Sequence, residues 1–210
     1  GYKDKELKYL GGGSYGLAFE VIGENKVFKI TFDESEAYIA NAIRRKNTRN
    51  VINYYDVRHI KFDDDIIKDT KFEKFFEDVF VIIMDKVASL NSYEGKLFYY
   101  LTDKIDFSIF DSKKIRRGLE YRRDKLKDKY AEGDTPLFDK TMNKFIDGIC
   151  NSIDECKDLG LKVTDIHIGN VGKNSDGQLV LFDLTTLGKY NYHKSKYKLK
   201  NIEIEYEKRR

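Results

Sequence analysis

The sequence predicts an α+β fold in two parts, with strands first and helices after them. Three observations support this prediction. Apolar β-formers at 7–10, 17–22 and 27–30 surround glycine and asparagine turns, a pattern typical of an antiparallel meander. An apolar stripe at helical spacing runs from Phe138 to Cys156, and the apolar run 179–182 follows a polar turn as in a hairpin. The length of 210 residues fits one domain or one two-lobed domain.

One helix is expected within the strand-rich part. Asp33 is a suitable N-cap for a helix over 34–46. One face of this helix combines a carboxylate with apolar side chains, at Glu36, Ile39, Ala40 and Ile43. A carboxylate on an apolar face indicates that it has a partner.

The remaining elements change from strands to helices after Val87. They are strands 51–62 and 79–84, a solvated insert 63–78 between them, and helices 92–105, 112–130 and a last one beginning at Thr135. Thr135 is the expected N-cap of the last helix, Pro136 lies in its first turn, and Gly160 is its expected C′ residue. The charged segment 111–134 is interpreted as an exposed, solvated helix, with a partner-binding surface as the alternative.

Composition narrows the class of protein. The net charge of +3 and the isoelectric point near 8.6 are too mild to argue for nucleic acid as a partner. Cys150 and Cys156 lie too far apart on one helix to bridge, and no zinc spacing is present. No apolar stretch approaches the roughly 20 residues of a membrane span, and no signal peptide is visible. We therefore expect a reduced, cytoplasmic protein with no membrane partner.

A glycine motif separates the first two predicted strands. Gly11, Gly13 and Gly16 form G-x-G-x-x-G, with Ser14 inside it. The motif is not at the strand-to-helix junction that a dinucleotide fold requires. Between strands, such glycines let backbone amides close over phosphates. A flexible hairpin is the alternative interpretation, since the motif alone is a weak signal.

Lys29 lies on the strand that follows, thirteen residues after Gly16 and among apolar neighbours. A lysine in this setting can be a surface residue whose stem covers apolar groups. It can also direct its charge into a cleft, with Glu36 of the helix as its partner. Glu34 is the competing partner, but it lies off the apolar face.

Three polar residues surround the predicted hairpin near the end of the chain. Asn170 follows Asp165 by five residues, and Asp183 follows Asn170 by thirteen, directly after the run 179–182. Solvated loops scatter such residues freely and rarely set them around a hairpin with an apolar second strand. This spacing therefore indicates a functional constellation.

Taken in order, these parts resemble the protein-kinase-like superfamily. The resemblance covers residues 7–185 and is most specific at 165–183, where both spacings match the catalytic loop and the metal-binding aspartate. It implies a two-lobed fold whose N-lobe has an antiparallel sheet and one helix and whose C-lobe is reduced and mainly helical. The implied segments are an N-lobe 1–84, a hinge 85–90, a C-lobe 91–188 and a basic, tyrosine-rich tail 189–210.

The resemblance also implies ATP and Mg²⁺ as cofactors, with a role for each matching residue. The phosphates would be covered by the loop with Gly11, Gly13, Ser14 and Gly16 and contacted by Lys29, which Glu36 holds. The adenine would meet Ala18, Val27, Met84 and the backbone of Asp85 and Val87. Asp165 would orient the attacking hydroxyl, His167 would be near the γ-phosphate, and Asn170 and Asp183 would hold Mg²⁺, which prefers oxygen ligands.

Several positions depart from the family's usual pattern. Val163 and Thr164 stand where His-Arg is usual, so an Arg that would receive a phosphorylated activation loop is missing. The loop D-x-H-x-G-N, with His167, is more like the loops of atypical and small-molecule kinases. Leu184 and Thr185 replace the usual Phe-Gly, and only 25 residues follow Thr185, too few for the helices that dock peptides in a standard C-lobe.

Three functions remain open at this point. The first is an atypical serine/threonine protein kinase, and the second is a phosphotransferase acting on a small-molecule hydroxyl. The third is a nucleotide-binding pseudokinase scaffold. The expected partner is accordingly a protein substrate or a small hydroxyl compound, and the sequence does not define the oligomeric state.

Overall fold

A computed structural model describes residues 5–13, 15–44, 46, 48–61, 79–131, 133–162, 165–184 and 203–206, the last four and Lys61 by backbone alone. The fold is α+β, as predicted. Its strands are β1 Leu7–Gly13, β2 Gly16–Val21, β3 Lys26–Thr31, β4 Tyr54–Lys61, β5 Val79–Asp85, β6 Val171–Lys173, β7 Leu179–Leu181 and β8 Glu203–Tyr206. Its helices are α1 Glu34–Ile43, α2 Ser92–Thr102, α3 Ser112–Tyr130 and α4 Thr135–Asp158.

The described residues divide into two compact units. The first contains the described parts of 1–47, 53–86 and 190–210, and the second contains those of 48–52 and 87–189. Within the described ranges, no helix has both the length and the apolar character that crossing a membrane requires.

In its described part, the first unit is a six-stranded sheet with one helix packed on it. The strand order is β1-β2-β3-β5-β4-β8, and all neighbours are antiparallel except β4 and β8, which are parallel. Helix α1 contacts β3, β4 and β5. Its predicted apolar face is confirmed, because Glu36, Ile39, Ala40 and Ile43 are all buried.

Helix α1 begins where the sequence predicts and ends three residues earlier. Asp33 is its N-cap, and the Asp33 carboxylate accepts a hydrogen bond from the Ser35 N–H at 2.8 Å. The helix ends at Ile43 because Arg44 adopts an extended conformation, although its N–H still bonds to the Ala40 carbonyl. The Arg44 side chain instead reaches Asp56 of β4, at 3.3 Å.

Two strand predictions in the first unit need correction. Strand β1 continues through the glycine motif to Gly13, and β2 already begins at Gly16, so most of the motif belongs to strands. The strand predicted over 51–62 begins at Tyr54, because Val51 pairs instead with Leu181 of the second unit. The tail predicted over 189–210 includes β8, which adds to the sheet at residues 58–61 of β4. Residues 62–78, which include the whole predicted insert, lie outside the described part.

The second unit contains three helices and a two-stranded ribbon. Helix α3 has the bounds that the sequence predicts, and α2 ends at Thr102, short of the predicted residue 105. The N-cap of α4 is Asp134, where Thr135 was expected, because the Asp134 carboxylate accepts the Leu137 N–H at 2.9 Å. Gly160 has a φ of 71°, as its predicted C′ position requires.

The core of the second unit lies among these helices and the ribbon. Helix α4 buries the predicted apolar stripe from Phe138 to Cys156 and contacts α3 and β7. Helix α3 is exposed on one side only, since Ile115, Leu119, Leu126 and Tyr130 are buried. Cys150 and Cys156 are buried free thiols, which agrees with the expectation that they form no bridge.

Candidate functional site

The candidate residues of the first unit centre on a buried ion pair. The Lys29 Nζ lies 2.6 Å from the Glu36 Oε1, and their side chains are only 11% and 3% exposed. The two residues meet because α1 starts almost directly after β3. The Asp33 N–H donates to the Thr31 hydroxyl at 3.1 Å, which ties the N-cap of the helix to the end of the strand. The predicted pairing of Lys29 with Glu36 is therefore present.

Several residues predicted to bind the nucleotide share the sheet face of Lys29. In an antiparallel sheet, residues directly opposite one another point to the same face. Ala18 is opposite Lys29, and Val27 is opposite Met84 on the neighbouring strand. Since Val27 and Lys29 are two positions apart on β3, all four side chains are on one face. Val27 and Met84 are each 6% exposed, so this part of the face is apolar.

Asp85 ends strand β5 and is fixed by three hydrogen bonds. Its carboxylate accepts from the Asn53 side-chain amide at 2.9 Å and from the Tyr55 hydroxyl at 2.6 Å. Its N–H donates to the Asn53 carbonyl at 3.1 Å. These contacts hold the backbone of the predicted adenine-binding segment in place from the side of β4.

Val87 differs from its neighbours in its backbone hydrogen bonds. The Lys86 N–H donates to the Asn25 carbonyl at 3.1 Å, and the Ala88 N–H donates to the Lys173 carbonyl at 2.9 Å. Neither the N–H nor the C=O of Val87 enters a backbone hydrogen bond with any described residue. Val87 was predicted to bond to adenine through its backbone, and its groups keep that capacity.

The fold requires glycine at one position of the motif and not at two others. At Gly16, a Cβ would overlap the carbonyl oxygen of Ile30, so the close approach of β3 requires glycine there. At Gly11 and Gly13, a Cβ would meet no atom within 4 Å. Neither of these two has a left-handed backbone, so the fold itself does not demand glycine. Ser14 lies outside the described residues.

The second unit contains the predicted catalytic loop. Asn170 is buried, and its side-chain amide donates to the Asp165 carbonyl at 3.0 Å and to the Asp165 Oδ2 at 3.3 Å. The Asn170 N–H donates to the His167 carbonyl at 2.9 Å. The loop is thus closed on itself, and the Asp165 carboxylate is held by its own neighbours. Val163 and Thr164, just before it, are outside the described part.

The ring of His167 is also oriented by this loop. Its Nδ1 accepts the Gly169 N–H at 3.0 Å, so the hydrogen of a neutral ring is on Nε2. That Nε2 lies 3.5 Å from the Asp165 Oδ1, and the His167 side chain is 53% exposed. The ring therefore presents an N–H toward the carboxylate of Asp165 from a solvent-accessible position.

The ribbon of β6 and β7 brings Asn170 and Asp183 to the same end. Val171 is opposite Leu181, and the Phe182 N–H donates to the Asn170 carbonyl at 2.9 Å. Asp183 follows directly and has a φ of 52°, in the left-handed region that is uncommon for residues other than glycine. Asp tolerates this region better than most residues, and such strain is often found at functional sites.

Asn170 and Asp183 can offer side-chain oxygens to a hard cation whose other ligands are water or phosphate. Among the described residues, no group of three or more His, Cys, Asp and Glu side chains is placed to hold a metal. A dedicated all-protein cage for Ca²⁺ or Zn²⁺ is therefore absent from the described part. Mg²⁺ is usually held by one or two protein oxygens together with water and substrate phosphates, and Asn170 with Asp183 fits that donor set.

The ribbon is supported by residues that were not predicted from the sequence. Both carboxylate oxygens of Glu155 accept the N–H groups of Arg49 and Asn50, at 3.1–3.3 Å. The Ser152 hydroxyl donates to the Asn50 carbonyl at 2.7 Å, and the Asn50 amide donates to the Leu179 carbonyl at 3.1 Å. The one available signal was Ser152, a polar residue beside the apolar stripe of α4.

Comparison with known proteins does not supply a family. No model of a known protein family matches the chain, and no curated protein matches its sequence. Its function is therefore inferred from the geometry of the two sets of residues described above.

Proposed function

We propose that the protein is an ATP- and Mg²⁺-dependent phosphotransferase with a two-lobed, protein-kinase-like fold. It transfers the γ-phosphate of ATP to the hydroxyl group of a protein serine or threonine. The single observation that carries the proposal is the buried ion pair of Lys29 and Glu36. A buried ion pair is weak evidence for stability, since burying two charges costs as much free energy as their attraction returns. A cation held in place on an apolar sheet face is what binding of phosphates requires.

In this proposal, the first unit binds the phosphates of the nucleotide. Glu36 orients Lys29, whose Nζ contacts the α- and β-phosphates. Gly11 and Gly13 place no side chain over this end of the strand, and the space where a Cβ would lie is open, so a phosphate can approach the backbone closely there. Ala18, Val27 and Met84 make apolar contact with the adenine. The backbone groups of Asp85 and Val87 form hydrogen bonds with it.

The second unit supplies the residues that act on the attacking hydroxyl. Asp165 accepts or orients the hydroxyl proton, and Asn170 keeps the Asp165 carboxylate in place through its amide. His167 lies beside Asp165, with its Nε2 3.5 Å from the Asp165 Oδ1, and is exposed enough to reach substrate. Asn170 and Asp183 are the residues that would hold Mg²⁺, which neutralises phosphate charge when bound. The αL backbone of Asp183 supports this assignment.

A small-molecule hydroxyl is the second candidate acceptor. His167 favours it, because D-x-H-x-G-N resembles the loops of small-molecule kinases. Mg-ATP binding without any transfer would instead indicate a nucleotide-binding scaffold.

Transfer of labelled γ-phosphate from Mg-ATP tests the proposal, with intact-mass readout on the protein and a generic protein substrate. Asp165→Asn and Asp183→Ala are each expected to reduce transfer at least about a hundredfold. Asp176→Asn is the matched control, since Asp176 is an exposed carboxylate in the turn of the same ribbon. Transfer to neither protein nor hydroxyl metabolites, or equal transfer by all variants, would contradict the proposal.

A further inference from the structure

Helix α3 carries far more positive than negative charge, and only part of it is neutralised within the fold. The helix has nine Lys and Arg residues against three Asp and Glu residues. Some cations of α3 form ion pairs with carboxylates of the neighbouring helix α4. Arg116 pairs with Asp147 at 2.8 Å, and Lys127 pairs with Asp139 at 2.8 Å.

The outward side of α3 forms a basic face with no such neutralisation. We define the basic face by the exposed residues Lys113, Lys114, Arg117, Tyr121 and Lys125. Within the described ranges, none of its four cations is paired with a carboxylate. Four members of the basic face are spaced four residues apart and form one row about 18 Å long: Lys113, Arg117, Tyr121 and Lys125.

The basic face is unfavourable for the helix that carries it. Lys113 and Lys114 lie in the first turn, where the helix dipole disfavours positive charge, and that turn has no acidic residue. Lys113 and Arg117 are like charges at i, i+4, which also destabilises a helix. The Asp111 carboxylate at the N-cap interacts electrostatically with Lys114 and offsets part of the first cost, and a negatively charged partner would offset more of both.

We propose that the basic face of α3 is a docking surface for an acidic segment of a polypeptide. Arg117 can bind a carboxylate through two N–H groups, and the lysines act as point charges on either side of it. Tyr121 adds an apolar contact in the middle of the row, since it is 63% exposed. The Lys125 Nζ lies 5.6 Å from the centroid of the Tyr121 ring. The row spans five or six residues of extended chain, at about 3.3 Å per residue.

The observations favour a polypeptide over a nucleic acid. Asp124 and Asp128 are also exposed on α3 and interrupt the positive field toward its C-terminal end. A polynucleotide has a charge at every unit and would meet these carboxylates, whereas an acidic peptide can place uncharged residues opposite them. Binding of single strands also relies on several stacked aromatic rings, and Tyr121 is the single aromatic residue of the basic face.

Fluorescence anisotropy with a labelled peptide of alternating glutamate and serine, about ten residues long, tests this proposal on the full chain at low salt. Replacing Lys113, Lys114, Arg117 and Lys125 by Glu is expected to weaken binding at least about tenfold. The matched control replaces four exposed lysines of the same unit by Glu, at Lys140, Lys144, Lys157 and Lys162. It changes net charge equally and is expected to weaken binding about twofold at most.

Thermal unfolding of the same variants gives a second readout. The basic-face variant is expected to melt no lower than the wild type, because acidic residues suit the first turn of a helix. If it fails to fold, the corresponding Gln variant is measured instead. No peptide binding by the wild type, equal loss in the control variant, or tighter binding of a single-stranded oligonucleotide of equal length would overturn the proposal.

Discussion

Lys29 and Glu36 form an ion pair that is almost fully withdrawn from water, with 2.6 Å between Nζ and Oε1. They are seven positions apart in the sequence, and the hydrogen bond from the Asp33 N–H to Thr31 fixes the short connection between strand and helix. The pair therefore depends on local chain geometry as well as on charge.

Breaking this pair from one side should destabilise the protein. Lys29→Met or Glu36→Leu leaves one buried charge without its partner, so each is expected to reduce the free energy of unfolding by about 3–5 kcal/mol. The double variant should recover most of that loss, because an apolar pair of similar volume avoids the desolvation cost. Urea unfolding of the four proteins measures the coupling. Additive losses in the double variant would show that the two side chains do not interact.

The glycines should separate into one that the fold requires and two that it does not. Gly16→Ala is expected to cost about 1–3 kcal/mol, since the new Cβ overlaps the Ile30 carbonyl. Gly11→Ala and Gly13→Ala should leave stability unchanged or raise it by up to about 1 kcal/mol. If the proposed function holds, these two variants should still bind a fluorescent ATP analogue more weakly. Normal nucleotide binding by both would remove the motif from the nucleotide site.

Local signals in the sequence predicted much of the fold. Asp33 marked the start of α1, the charged run Ser112–Tyr130 matched α3, and Gly160 marked the end of α4. The errors came from competition between neighbouring signals. Asp134 and Thr135 are both good N-caps, and the carboxylate of Asp134 is the one that reaches the Leu137 N–H.

Long-range contacts account for what the sequence did not predict. The Ser152 hydroxyl bonds to a carbonyl 102 residues away, at Asn50, and no local pattern encodes such a contact. The same holds for β8, whose parallel pairing with β4 joins distant parts of the chain. In the candidate site, the Lys29–Glu36 pair was predictable because Glu36 stood on an apolar face. The support of the ribbon by Glu155 was not predictable, because its partners are backbone N–H groups.

The two cysteines should be inert in the folded protein. Burial raises the pKa of the Cys150 thiol to about 11 and that of the Cys156 thiol to about 12, so little thiolate forms near neutral pH. Iodoacetamide at about pH 8 is expected to leave both unmodified in the native state and to modify both in denaturant. Intact mass spectrometry measures the number of added groups. Rapid native labelling would mean that the part of α4 carrying these residues opens readily.

Glu94 joins α2 to the ribbon through hydrogen bonds. Its carboxylate accepts from the Lys173 Nζ at 2.8 and 3.0 Å and from the Asn91 N–H at 3.0 Å. Burial alone would raise the pKa of Glu94, but these hydrogen bonds together outweigh it and hold the pKa below the ordinary 4.5. The resulting stability is therefore fully present above about pH 4.5 and is lost as the pH falls through the lowered value.

Lys173→Met should accordingly reduce the free energy of unfolding by about 1 kcal/mol at neutral pH. The difference from the wild type should shrink as the pH falls below 4.5, because protonated Glu94 no longer attracts the lysine. Lys162→Met is the control, since Lys162 is an exposed lysine of the same unit without an ion pair among the described residues. Urea unfolding at several pH values measures both differences. A Lys173→Met effect that stays constant down to the lowest pH would show that lost packing of the lysine stem, and not the ion pair, is responsible.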